Sequence, residues 1–187
     1  MKTGLILIDI QNDYFEGGKH ELFKPLEAAE KAKKILDTFR DKKIPIFHVQ
    51  HIMEFKNAPF FEIGTKGAEI FDLVKPIESP YETLVVKHKP NSFLNTILKE
   101  ELDKADVKNV VICGMMTHMC VDTTVRACAD FGISVTLISD ACTTRDLEFN
   151  GNVIPAHTVN DTYMASLSGG FANVVSTENF LNSFNVK

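Results

Sequence analysis

Short apolar runs alternate along the chain with longer segments in which apolar residues recur every three or four positions. Each run is bounded by polar residues, glycine or proline, a pattern typical of strands that are buried on both faces. Residues 25–41 show the second pattern, with apolar side chains on one side of a predicted helix and lysines opposite. The sequence predicts strands at about 4–10, 44–50, 84–86, 109–113, 133–139 and 172–175, and helices at about 25–41, 94–102, 118–131, 159–167 and 177–184.

The alternation of strands and helices predicts an α/β fold in which helices cover both faces of a parallel sheet. We therefore expect a Rossmann-like three-layer α/β/α sandwich. At 187 residues the chain is most simply one domain, 1–187, large enough to bury a continuous core. The long connection at 51–80, with a short helix predicted at 68–74, is expected to act as a lid over a site or as a subunit contact.

Three residues with useful chemistry follow predicted strands. Asp9 ends the first strand, Lys87 ends the third, and a turn leading to Cys120 follows the fourth. Parallel sheets of this kind bind ligands at the carboxyl ends of their strands, near the point where the strand order reverses. We therefore expect these three residues to meet at one edge of the sheet, although they are far apart in sequence.

Cys120 is predicted to lie in the first turn of a helix. An apolar strand at 110–113 ends at Gly114, and Val121 and Val125 then begin a helical apolar stripe. Free backbone N–H groups and the helix dipole favour a thiolate at this position. The chain has no CxxC pair, and the other cysteines fall at strand ends or on an inner helix face, so we expect reduced thiols; these are Cys113, Cys128 and Cys142.

Composition and charge narrow the class of protein. Hydrophobic residues make up 44% of the chain and charged residues 24%, which is ordinary for a globular protein. The net charge of −5 argues against binding to nucleic acid or to anionic membranes. The N-terminus runs directly into a predicted strand, and no apolar run approaches the roughly 18 residues of a membrane span. We therefore expect a cytoplasmic protein without a signal peptide.

The sequence disfavours the common cofactor sites. The segment 64–67, Gly-Thr-Lys-Gly, lacks the spacing of a phosphate-binding loop, and no GxGxxG motif follows the first strand. His48 and His51 are candidate metal ligands, but their i, i+3 spacing on a strand directs them to opposite faces. We expect neither a metal nor an organic cofactor.

Asp9, Lys87 and Cys120 together have the chemistry of a cysteine hydrolase. Cys120 would be the nucleophile, and Asp9 would accept its proton and return it to a leaving group. Lys87 would balance the charge of Asp9 and favour the thiolate. Each residue alone also has an ordinary structural explanation, such as a loop cap, a solvated lysine or a buried inert thiol. Their joint placement at one edge favours catalysis.

Three sequence motifs resemble those of the isochorismatase-like cysteine hydrolases, over nearly the whole chain and in the family's order. The first is Leu-Ile-Asp-Ile-Gln-Asn-Asp at 7–13, the second is Val-Val-Lys-His-Lys-Pro-Asn-Ser-Phe at 85–93, and the third is Gly-Met-Met-Thr-His-Met-Cys-Val at 114–121. The resemblance implies a six-stranded parallel sheet in a homo-oligomer (a dimer or tetramer) and a catalytic triad of Asp9, Lys87 and Cys120.

The resemblance also implies further site residues. The backbone N–H groups of Met116 and Cys120 would form an oxyanion hole, with a cis peptide bond between Met115 and Met116. Tyr14 matches an aromatic pocket position of the family, and we place Gln11, Phe60 and Phe61 with it among the substrate-binding residues. The two phenylalanines are chosen by location only.

The substrate class is only partly narrowed. Nicotinamidases of this family have a metal-binding Asp-x-His pair after the second strand, where this chain has Gln50 and His51. Isochorismatase itself cleaves a vinyl ether and lacks the cysteine, so Cys120 favours hydrolysis of a C–N bond in a small-molecule amide, with Asp9 activating the water that releases the acid. A vinyl-ether hydrolase and a non-catalytic protein with a reactive thiol remain the alternatives.

Overall fold

A computed structural model of the protein describes residues 2–184. Its centre is a six-stranded parallel sheet. The strands are β1 (Lys2–Ile8), β2 (Ile46–His51), β3 (Glu82–Lys87), β4 (Val107–Met115), β5 (Ser134–Thr143), β6 (Leu147–Phe149), β7 (Asn152–Ile154) and β8 (Asn173–Val175). The helices are α1 (Pro25–Asp41), α2 (Leu98–Lys104), α3 (Asp122–Asp130), α4 (Ala156–Leu167) and α5 (Thr177–Phe184).

The predicted fold class is confirmed, and the observed helices and strands differ from the predicted ones only locally. The predicted helix at 68–74 is replaced by two short 3-10 turns, Lys66–Ala68 and Asp72–Val74. Residues 150–151, to which no strand or helix was assigned from the sequence, form the tip of an antiparallel hairpin, β6–β7, which lies outside the main sheet. Runs of only three strand residues carry too little periodicity to be distinguished from loop, so the sequence did not reveal this hairpin.

The sheet is buried because its central strands are apolar on both faces. The β1 residues 4–8 are all buried, as a parallel strand covered by helices requires. Helix α1 packs its alanines and large apolar side chains against the sheet, and Phe39 stacks on Phe180 and Phe184 of α5. Leu26, an apolar residue in the first turn of α1, is instead about half exposed.

The topology brings the predicted residues to one edge. Strand β1 lies between β2 and β4, and the strand order reverses there, since β2 and β3 extend to one side and β4, β5 and β8 to the other. Asp9 follows β1, Lys87 is the last residue of β3, and the turn before α3 follows β4. Among residues 2–184, no helix is both long and apolar enough to cross a membrane.

Gly114 permits the close approach of β4 to β1 beside this edge. It pairs with Ile8 and has a φ of +139°, a conformation that side chains other than glycine rarely adopt. A Cβ built on Gly114 would come 2.1 Å from the backbone oxygen of Ile8. Because the obstacle is backbone in a central strand, no side-chain movement can relieve it.

We expect Gly114→Ala to lower the free energy of unfolding by at least about 2 kcal/mol, because left-handed strain and overpacking add. Urea unfolding followed by circular dichroism measures the change. Gly132→Ala is the matched control, since Gly132 also has a positive φ of 68° but no atom lies within 4 Å of its Cβ position. Equal losses in the two variants would contradict this account of Gly114.

Candidate active site

Asp9 and Lys87 form an ion pair that is completely buried. Lys87 Nζ lies 2.9 Å from Asp9 Oδ2, and both side chains have zero exposed surface. Lys87 Nζ also donates to the carbonyl oxygens of Lys89 at 3.2 Å and Pro90 at 3.0 Å. Burial alone lowers the pKa of Lys87, but its interactions with Asp9 and, secondarily, with Cys120 outweigh burial and raise the pKa above the usual value. Lys87 is therefore a cation.

The Cys120 thiol lies beside this pair, in a wide helical turn (Thr117–Val121) that precedes α3. Burial raises the pKa of Cys120 well above its usual value, and Asp9 adds to the increase, while Lys87 opposes it. The helix start was expected to favour a thiolate, yet loss of water has the larger effect. The resting group is a thiol, so a base must take its proton during attack.

The turn has the geometry implied by the sequence motif. The peptide bond between Met115 and Met116 is cis, as expected. The Met116 carbonyl accepts bonds from the N–H groups of Met119 at 3.0 Å and Val121 at 3.3 Å. Met116 and Cys120, whose N–H groups were predicted to form an oxyanion hole, both line the cavity described next.

A cavity of about 500 Å³ opens above Cys120. Tyr14 and Phe60, two of the predicted substrate-binding residues, contribute to its wall. The rest of the wall is mostly apolar, with a few titratable groups; it comprises His51, Ile52, Met53, Glu54, Phe55, Pro59, His88, Lys89, Pro90, Met116, Met119 and Cys120. A cavity of this size and character fits a small organic molecule.

Gln11 and Phe61 lie behind the cavity wall, contrary to expectation. Gln11 is fully buried, and its side-chain amide bonds the backbone of His51 on both sides, with Oε1 accepting the His51 N–H and Nε2 donating to the His51 carbonyl, each at 2.8 Å. Phe61 is also fully buried and packs against Tyr14, with ring centroids 4.6 Å apart. Both residues support cavity-lining neighbours instead of contacting the cavity.

His51 is the site residue that the sequence analysis missed. Its Nδ1 lies 3.9 Å from Cys120 Sγ and 3.8 Å from Asp9 Oδ2. His48 points to the other face of β2, as the spacing predicted, and its Nε2 lies 2.8 Å from Glu82. The available signal was the position of His51 as the last residue of β2, at the same edge as Asp9 and Lys87.

Asp9, His51 and Cys120 also form a potential metal-ligand set. One donor atom from each lies within 4.8 Å of the others. However, the Lys87 ammonium is 2.9 Å from Asp9 Oδ2 and would repel a divalent cation at that oxygen. The charge of Lys87 therefore disfavours a metal ion bound through Asp9 Oδ2.

The fold and the site define a three-layer α/β protein with a cysteine, an aspartate and a lysine at the carboxyl edge of its parallel sheet. The Isochorismatase domain family model matches residues 3–178, and the chain belongs to this family. YddQ, an isochorismatase-family protein of Bacillus subtilis (strain 168), is 48% identical to this chain. The alignment covers 97% of this chain and 99% of the length of YddQ.

More distant relatives agree with this assignment. An isochorismatase-family crystal structure from Oleispira antarctica superposes with a TM-score of 0.93 at 44% identity, covering 97% of this chain and 96% of that one. Nicotinamidase 3 of Arabidopsis thaliana is 28% identical over 94% of this chain and 85% of its own. The chain is thus an isochorismatase-family hydrolase by both sequence and fold.

We expect Gln11→Leu to lower the free energy of unfolding by at least about 2 kcal/mol, because both backbone groups of His51 lose a buried partner at about 1–3 kcal/mol each. Chemical denaturation measures the loss. Asn12→Ala is the control, because Asn12 bonds the Lys66 carbonyl in an exposed position and should cost less than about 0.5 kcal/mol. A Gln11→Leu protein with the same free energy of unfolding as wild type would show that the two Gln11–His51 hydrogen bonds do not stabilise the fold.

Proposed function

We propose that the protein hydrolyses the C–N bond of a small-molecule amide through a thioester on Cys120. The observation that carries this proposal is the buried Asp9–Lys87 ion pair beside a thiol at the base of an apolar cavity. A buried pair of this kind is not needed to stabilise a fold, since apolar residues usually serve as well. Its position against a nucleophile supports a catalytic role.

Acylation uses all three residues. Cys120 Sγ attacks the amide carbonyl while Asp9 takes the thiol proton. Within residues 2–184, Asp9 Oδ1 has no hydrogen-bond partner, so it can accept this proton while Oδ2 remains against Lys87. Asp9 then returns the proton to the departing nitrogen as the C–N bond breaks. The products of this half-reaction are a free amine, or ammonia from a primary amide, and an acyl group bound to sulfur.

The positive charge of Lys87 compensates the negative charges that arise in the site. Its ammonium offsets the carboxylate before the proton moves, and it stabilises the sulfur as negative charge develops there. General acid–base assistance of the kind assigned to Asp9 accelerates such reactions by on the order of 10²–10⁴-fold. The N–H groups of Met116 and Cys120 are the proposed donors to the oxyanion, a contribution typically worth about 2.7–4 kcal/mol for each donor.

The cysteine favours amide hydrolysis over cleavage of a vinyl ether. A vinyl ether is cleaved by protonation and water attack, for which a thiol nucleophile is not required. The relative Nicotinamidase 3 carries an amide substrate in its name, and this supports C–N hydrolysis within the family. The metal-binding pair of nicotinamidases is absent from the sequence, so nicotinamide itself is not the proposed substrate.

We expect Cys120→Ala to lose at least about 10³-fold in turnover while remaining folded, because no other group can carry the acyl intermediate. The assay is release of ammonia or pyruvate from a panel of small primary amides, ureido acids and isochorismate. Cys128→Ala is the matched control, since Cys128 is buried in α3 away from the cavity and should keep most activity.

The products distinguish the alternatives in the same assay. Pyruvate release from isochorismate that survives in Cys120→Ala would identify a vinyl-ether hydrolase. A wild-type protein that reacts with alkylating agents at Cys120 but turns over nothing in the panel would be a reactive-thiol protein.

We further expect dialysis against a chelator to leave amide turnover within about twofold of its starting value, because protein side chains alone provide the general acid–base and nucleophilic groups. Turnover before and after dialysis, at matched protein concentration, is the measurement. Loss of activity that is restored by added zinc or iron would overturn this prediction and would favour a metal bound at His51.

A further inference from the structure

We propose that the Tyr14 hydroxyl selects substrates whose acyl group carries a neutral hydrogen-bond acceptor close to the scissile carbonyl. An ether or hydroxyl oxygen attached to the first or second carbon beyond the carbonyl is an acceptor of this kind. The inference rests on the proposed acyl-enzyme function and deepens it. It gives the substrate class as an amide whose acyl group is apolar except for one such acceptor, to which Tyr14 donates.

The Tyr14 hydroxyl is a polar group without a partner in an almost completely buried residue. Tyr14 is 1% exposed and lines the cavity. Within residues 2–184 its hydroxyl makes no hydrogen bond, yet it is not one of the sealed polar atoms without a partner, which belong to Asp9, His20 and His48. The small exposed surface of Tyr14 therefore includes the hydroxyl, and this surface faces the cavity.

The fold gains little from this oxygen. A buried hydroxyl is unfavourable unless it is hydrogen-bonded, so native structures rarely leave one unpaired. A phenylalanine ring would fill the same space against the neighbouring aromatic rings without carrying a polar atom. A molecule in the cavity is the remaining source of a partner, and this points to a role in binding.

The ring of Tyr14 is held in one position by its neighbours. Tyr14 ends a 3-10 turn that follows β1, and its carbonyl accepts the Leu22 N–H at 3.0 Å. Its ring packs against Phe61, with ring centroids 4.6 Å apart. Phe61 is fixed in turn, because its N–H donates to the buried Asp13 Oδ2 at 2.6 Å. The hydroxyl is therefore placed before a substrate binds, and such preorganisation favours selective binding.

The hydroxyl lies near the reacting carbonyl. Tyr14 and Cys120 line the same cavity. Burial raises the pKa of Tyr14 most, and the charges of Asp9 and Cys120 raise it further, which indicates that the hydroxyl is close to both. An acyl group bound to Cys120 therefore meets the hydroxyl with the atoms next to its carbonyl, and not with its far end.

The same environment defines the kind of substrate atom. With its pKa raised, the Tyr14 hydroxyl keeps its proton at neutral pH and can donate a hydrogen bond. The phenolic oxygen shares a lone pair with the ring, so the group donates more strongly than it accepts. A carboxylate in this position would lie close to the Asp9 carboxylate and would be repelled by it. A neutral acceptor is therefore favoured.

The other polar side chains of the cavity wall are less suitable for this contact. Glu54, His88 and Lys89 are exposed, and Glu54 lies 3.8 Å from His88. They can meet only the part of a substrate that extends toward solvent. The His51 ring is directed at the nucleophile, with Nδ1 3.9 Å from Cys120 Sγ. The tyrosine hydroxyl is thus the group best placed to read the acyl chain near its carbonyl.

The test compares two pairs of p-nitrophenyl esters, each pair differing in one atom of the acyl chain. Methoxyacetate and butyrate have an oxygen or a methylene on the first carbon beyond the carbonyl, and 3-methoxypropionate and pentanoate have it on the second. Release of p-nitrophenolate gives the acylation rate, and intact-mass spectrometry verifies the adduct on Cys120. Wild type, Tyr14→Phe and the control Tyr81→Phe are compared; Tyr81 is exposed and lies outside the cavity.

We expect the ratio of acylation rate constants, oxygen ester over methylene ester, to be about fivefold higher in wild type than in Tyr14→Phe for at least one pair. This is the size that one neutral hydrogen bond predicts. The intrinsic reactivity of each ester is the same for every protein, and disturbed packing affects both esters of a pair, so the ratio isolates the hydroxyl. Tyr81→Phe should keep the wild-type ratio.

A second measurement needs no variant. The same four esters are allowed to react with N-acetylcysteine, a free thiol without a binding site. For the pair that responds to Tyr14→Phe, the wild-type ratio should exceed the free-thiol ratio by a similar factor. A wild-type ratio that is no higher than the free-thiol ratio in either pair would contradict the inference, even if Tyr14→Phe does not fold.

The two proposals fail in different ways. If the esters acylate Cys120 and Tyr14→Phe shows the wild-type ratio or a higher one for both pairs, the hydroxyl does not select an acceptor and the present inference is wrong. If wild type forms no adduct on Cys120 with any of the four esters, the proposed acyl-enzyme function itself fails.

Discussion

The buried ion pair between Asp9 and Lys87 is the constraint on which the site depends. Removing two charges from water costs several kcal/mol per ion, and their attraction compensates only when the geometry is good and further hydrogen bonds are made. Here the ammonium lies 2.9 Å from the carboxylate and also donates to the carbonyls of Lys89 and Pro90. The loop after β3 therefore has a conformation that directs these two carbonyl oxygens at the Lys87 ammonium.

Burial away from water also determines the protonation state of the Cys120 thiol. In a solvated helix start, the dipole and a nearby lysine would favour a thiolate. Around Cys120, burial has the greater effect and raises the pKa of the thiol, so the protonated form is favoured. In the proposed mechanism a base takes this proton, and we assign that role to Asp9 because Lys87 stabilises its charge at Oδ2 and leaves Oδ1 free of a hydrogen-bond partner among residues 2–184.

Much of this arrangement could be predicted from the sequence, because it depends on the order of elements. Asp9, Lys87 and Cys120 each follow a strand, and parallel strands bring their carboxyl ends together whatever the details of packing. The roles of Gln11 and Phe61 could not be predicted in this way. Whether a side chain faces a cavity or supports its wall depends on tertiary contacts, here the backbone of His51 and the ring of Tyr14.

His51 shows how a correct rule can still overlook a residue that lies in the site. Strand parity placed His48 and His51 on opposite faces, and the structure agrees, with His48 bonded to Glu82. That argument excludes a shared metal but says nothing about each histidine alone. The last residue of β2 lies at the same sheet edge as Asp9 and Lys87, and its side chain therefore reaches both the Cys120 sulfur, at 3.9 Å, and the cavity.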